Sequence, residues 1–138
     1  MSTRLLEKKE KIMKLLEELA LEAARGVPII VEGTKDIEAL GLLSIEGRII
    51  SVKTGGKSLL DAISEVEDSE AREVVLLMDF DRKGREMTKK LVSWLEKIHV
   101  KPNLDFWRKL QGLVGREVKD VEGLASYLRT LRKKIGDS

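Results

Sequence analysis

Two hydrophobic periods run along this chain. Over residues 4–24 apolar side chains recur at Leu5, Ile12, Leu16, Leu19 and Ala23, with Leu6, Met13 and Ala20 beside them and charges between. That spacing predicts one amphipathic helix, with Ser2 or Thr3 as its N-cap and Gly26 at its end. Two continuous apolar runs follow, at residues 27–31 (VPIIV, broken only by Pro28) and 74–78 (VVLLM), with a shorter strand-like segment, RIISV, at 48–52 between them. Short runs of this kind between polar flanks predict fully buried strands of a parallel sheet, and Pro28 stands where a first strand residue tolerates the missing donor. Helical patterns separate them, at residues 35–43, after Gly56, and at residues 85–98, where Met87, Leu91, Trp94, Leu95 and Ile98 form the inner face. Residues 100–107 predict a fourth, edge strand, interrupted by Pro102 and Asn103. A last helix is predicted over residues 121–134, capped by Asp120, with Leu124, Leu128 and Leu131 facing the core and Arg129, Arg132, Lys133 and Lys134 crowding its end.

Alternation of buried strands with helices predicts an α/β fold: a mostly parallel four-stranded sheet sandwiched between helices, with an added N-terminal helix. The 138 residues suit a single domain, divided as an N-terminal helix (1–26), a core (27–100) and a C-terminal strand and helix (101–138).

The chemistry lies where the strands stop. The run at 74–78 meets Asp79, Phe80 and Asp81, and the run at 27–31 meets Glu32, then Gly33, with Asp36 in the first turn of the next helix. Carboxyl ends of parallel strands share one rim, so Glu32, Asp79 and Asp81 converge there. Like charges aimed at one spot require protonation, solvation or a cation between them. Hard oxygen donors without His or Cys select Mg²⁺ or Mn²⁺ over zinc. The single histidine, His99, has no partner at ligand spacing.

Composition narrows the setting. The absence of cysteine excludes disulfides and thiolate metal sites and makes a reducing cytoplasm the expected compartment. No apolar run approaches the roughly 20 residues that span a bilayer, so no membrane partner is expected. Net charge is only +2 although 36% of residues are charged, so the distribution of cations matters more than their sum. Lys35, Lys53, Lys57, Arg82, Lys83, Arg85 and Lys89 fall beside the acids, where a polyanion approaching the rim needs them. The segment KTGGKSLLDAI lacks the first glycine of a Walker loop, since Ser51 stands in that place, leaving Gly55 and Gly56 as a candidate anion nest with Lys53 and Lys57.

The two acidic motifs, VPIIVEGTKD and VVLLMDFDRKG, resemble the signature pair of the Toprim domain: a hydrophobic strand ending EGxxD (Glu32, Gly33, Asp36) and another ending DxDxxG (Asp79, Asp81, Gly84). The resemblance spans residues 27–100 and points to a small stand-alone protein of archaeal type. It is similar to the Toprim domains of ribonuclease M5, bacterial-type primases, OLD nucleases and topoisomerases. The resemblance implies Asp79 and Asp81 as ligands of Mg²⁺ (or Mn²⁺), Glu32 as general acid or base and further ligand, and Asp36 as a member of the catalytic set. The reaction it implies is phosphoryl transfer on nucleic acid, a nuclease cleaving RNA or DNA, with Lys35, Lys53, Lys57, Arg82, Lys83 and Arg85 as the nucleic-acid-binding set. The chain has no room for the extra domains of strand passage or priming, and its one tyrosine, Tyr127, lies on the last helix, away from the motifs.

A haloacid-dehalogenase-type phosphatase also places DxD after a buried strand, but wants Thr or Val where Lys83 stands and opens the fold with that strand. A response-regulator receiver wants paired acids on its first strand. The alternative from another class is a non-catalytic Mg²⁺-dependent nucleic-acid-binding module within an RNA-processing or DNA-repair complex.

Overall fold

A computed structural model of the chain describes residues 3–53 and 59–136. The N-terminal helical period becomes α1 (Thr3–Ala24), and the apolar runs become β1 (Ile29–Val31), β2 (Ile49–Ser51) and β3 (Glu73–Leu77). Between and after them stand α2 (Thr34–Leu42), α3 (Leu59–Asp68), α4 (Arg82–Lys97), β4 (Lys101–Asn103), α5 (Asp105–Val114) and α6 (Val121–Ile135). Among the described residues this is an α/β architecture of four strands and six helices, its sheet ordered β2-β1-β3-β4 with every neighbouring pair parallel.

The strand period of two sorts the core. Ile29, Val31, Val75 and Leu77 face one cluster, closed by residues of α1, α2, α5 and α6. Ile30, Ile50, Val74 and Leu76 face the other, closed by α3 and α4. Such two-sided burial is why β1 and β3 read as continuous apolar runs. It also fixes where a ligand can enter. β1 leaves the sheet into α2 on the first face, whereas its neighbour β3 leaves into α4 on the second. Adjacent strands whose connections depart to opposite faces open a crevice at their carboxyl ends.

Three sequence expectations need correction. Residues 100–107 are not one strand: β4 stops at Asn103, whose side-chain oxygen accepts from the Asp105 N–H at 3.0 Å, and α5 begins there. Phe106, Trp107, Leu110 and Val114, spaced for a helix, are its buried stripe. Second, α4 starts at Arg82, three residues earlier than the apolar pattern indicates, and buries Gly84, Thr88, Leu91 and Leu95. Trp94 therefore falls off that stripe; it is 37% exposed, with the Lys97 ammonium 4.7 Å from its ring centroid. Third, Leu15 joins the buried face of α1 while Leu5 does not. Gly55, Gly56 and Lys57, the candidate anion nest, lie outside the described residues, as does Ser2.

Candidate metal centre

The register of the sheet assembles the site. Val31 is level with Ser51 on one side and Leu77 on the other, so Glu32 emerges between Lys53 and Asp79. The Lys53 N–H donates to the Glu32 carbonyl at 2.9 Å, and the Lys53 ammonium returns to Glu32 Oε2 at 3.1 Å. Glu32 Oε1 accepts the backbone N–H of Asp79 at 3.2 Å. The glutamate is thus buried to 5% exposure with both oxygens held, one by each neighbouring strand end.

Asp79 and Asp81 are placed by the turn into α4. Asp81 is the N-cap of that helix, and its Oδ1 accepts from the Gly84 N–H at 2.8 Å. Gly84 is required for close approach: a Cβ there would overlap the backbone of Asp79. Two further bonds pin the strand end. The Trp107 indole N–H donates to the Met78 carbonyl at 2.8 Å, and the Phe80 N–H donates to the Lys119 carbonyl at 2.6 Å.

One carboxylate oxygen each from Glu32, Asp79 and Asp81 lie within 4.8 Å of one another. Opposite oxygens around Mg²⁺ stand about 4.2 Å apart, so these donors fit a hard divalent cation with small adjustment and with water completing the shell. Crowding has an electrostatic signature. Burial, then the charge and hydrogen bond of Glu32, push the Asp79 carboxyl up to about 7. Removing charge from Asp79, by protonation or by a bound cation, relieves its repulsion with Glu32. Lys53 is the built-in counter-charge; its ammonium is pushed up by the hydrogen bond and charge of Glu32 and, more weakly, by Asp79 and Asp81.

Asp36 also ties two helix starts together. Its Oδ2 accepts from the Gly33 N–H at 3.1 Å, closing the first turn of α2, and its Oδ1 accepts from the Glu122 N–H at 3.1 Å in the first turn of α6. Both oxygens are engaged by backbone, and burial pushes its carboxyl upward. Asp36 nevertheless belongs to a second acidic triplet with Asp79 and Asp120, whose oxygens also lie within 4.8 Å of one another. Asp120 is the residue that sequence reasoning missed here. Its N-cap role was legible, with Oδ1 accepting from Gly123, but nothing local reveals that α6 begins against the rim.

The cations divide. Lys53 is in the site, and the Arg85 guanidinium donates to the Phe80 carbonyl at 3.1 Å, between the two aspartates. Arg82 pairs with Glu86 along α4, and Lys35, Lys83 and Lys89 are exposed. Lys57 falls outside the described residues.

Known proteins resemble this chain in sequence and in fold. The sequence profile of the Toprim domain matches residues 27–105. A UPF0292 protein of Methanosarcina barkeri is 38% identical over 92% of this chain and 87% of its own. Another, from Methanocaldococcus jannaschii, is 36% identical over 86% of this chain and 91% of its own. Among solved structures, a putative protein from Aquifex aeolicus superimposes with a TM-score of 0.66 at 26% identity, covering 79% of this chain and 94% of its own.

Proposed function

The chain belongs to the Toprim family, and from that premise we propose that it is a metal-dependent nuclease, hydrolysing phosphodiesters of RNA or DNA in the manner of the catalytic half of ribonuclease M5. Toprim membership brings a magnesium-dependent, nucleic-acid-related function; cleavage is the finer step argued here. The observation that supports it is the convergence of Glu32, Asp79 and Asp81 in the crevice between β1 and β3.

In this reading Asp79, Asp81 and Glu32 would hold Mg²⁺ or Mn²⁺. A bound divalent cation supplies charge neutralisation on the phosphate and a more acidic water. The remaining work belongs to the chain. Glu32, steadied by Lys53 and by the Asp79 N–H, is poised to take or return a proton at its carboxylate. Lys53 offsets the negative rim that repels a polyanion, and Lys35, Lys83 and Arg85 meet flanking phosphates. Asp36 holds α2 and α6 in register around the site.

The test is cleavage of end-labelled RNA and DNA with Mg²⁺ or Mn²⁺, with binding measured in parallel. Glu32→Gln should lower turnover by about 10² to 10⁴-fold while binding survives. Wild type that binds but cleaves no labelled strand would place the chain instead as a binding module in an RNA-processing or repair complex.

A further inference from the structure

A pocket of about 400 Å³ opens beside the acidic rim and is not used by the metal centre. Its walls come from the 117–120 segment and from one face of α6, where Gly123, Ser126, Tyr127 and Thr130 recur at helical spacing. Asp120 joins the two places: it lines the pocket, and its carboxylate lies within 4.8 Å of those of Asp79 and Asp36. Tyr127 stands seven residues further along, about 10 Å down the helix at 1.5 Å per residue. The Lys8 ammonium lies 5.5 Å from its ring centroid and is bound to Glu117 at 2.9 Å.

The lining chemistry is specific. It offers the Tyr127 ring, the exposed hydroxyl-bearing residues Ser126 and Thr130, the exposed Lys119, and the carboxylates of Glu117 and Asp120 as acceptors for a base's amino and imino edges. A flat heteroaromatic ring with polar edges, attached to a phosphate, matches that set, because every base presents a π-face and every nucleotide an anion. We propose that this pocket seats a nucleobase flanking the phosphate held at the metal centre, with Tyr127 as its stacking platform and Lys119 on the adjoining phosphate. The inference rests on the nucleic-acid reading above and adds the subsite that grips an unpaired base.

Abasic oligonucleotides separate base from backbone. Affinities of wild type, Tyr127→Phe, Tyr127→Leu and Ser126→Met are measured for fluorescein-labelled single-stranded 10-mers, intact or with abasic central positions, with Ca²⁺ in place of Mg²⁺. Wild type and Tyr127→Phe should favour the intact strand by roughly 5- to 100-fold. Tyr127→Leu, which keeps an apolar side chain against the core, and Ser126→Met, which fills the pocket from an exposed helical position, should lose that preference. Thermal unfolding of both variants reports whether the fold is retained, and Ser126→Met decides if Tyr127→Leu unfolds. Preference retained by folded Ser126→Met, or absent from wild type that still binds both strands, overturns the base pocket and leaves the proposed function standing. Wild type that binds neither strand overturns the nucleic-acid reading itself.

Discussion

Asp79 carries the strongest single-residue consequence. In the folded chain its carboxyl titrates near 7 against an ordinary value of 3.8, so the native state keeps a proton that the unfolded state has already lost. Stability contributed by that proton is full below the ordinary value and falls as pH rises toward about 7. In chelator, the unfolding midpoint should decline across that window, and Asp79→Asn should flatten the decline. Mn²⁺ binds the ionised form, so it should raise the midpoint most at the alkaline end and release protons as it binds. A midpoint that ignores both pH and Mn²⁺ would refute the assignment. Asp36 makes the opposite kind of prediction. Asp36→Ala leaves the Gly33 and Glu122 N–H groups without their acceptor and should destabilise the fold by about 1–3 kcal/mol, read in urea. A catalytic loss without destabilisation would support direct chemistry at Asp36.

At the scale of elements, the site depends on the join between β3 and α4. Gly84→Ala forces a methyl group against the Asp79 backbone and should cost about 1–3 kcal/mol while weakening Mn²⁺ binding together with stability. Unchanged Mn²⁺ titration in a destabilised variant would separate the packing from the site. This join was readable in sequence because a buried strand, two acids and a glycine are adjacent in the chain. The same holds for Glu32 and Gly33, and for the N-cap at Asp120. What was not readable came from rotation and from tertiary partners. The exposure of Trp94 follows from the buried stripe of α4 being set by Gly84 and Thr88, two residues that an apolar count passes over. The helix α5 was hidden because Phe106 and Trp107 come only three residues after a proline-bearing strand, and their period shows only when Leu110 and Val114 are counted with them. Asp120 reaches the rim by way of α6 packing on α2, a contact with no local signature.

Across the whole molecule, nearly balanced charge is arranged unevenly around a shared rim. Binding should weaken with salt, because cations that meet phosphates release condensed counterions. Replacing Arg82, Lys83 and Arg85 together with Ala should flatten the log–log salt slope by up to about three contacts, roughly 0.7 to 0.9 each. An unchanged slope would move the contact surface to the basic end of α6. The two tryptophans also occupy contrasting surroundings. Trp94 is partly exposed under a lysine ammonium, whereas Trp107 is buried with its N–H tied to the carbonyl of Met78, one residue before Asp79. The chain is therefore its own optical probe: iodide should quench the red-shifted emission of Trp94 and spare Trp107. Paramagnetic Mn²⁺ arriving beside Asp79 should dim the blue-shifted emission of Trp107, a signal that Trp107→Phe removes.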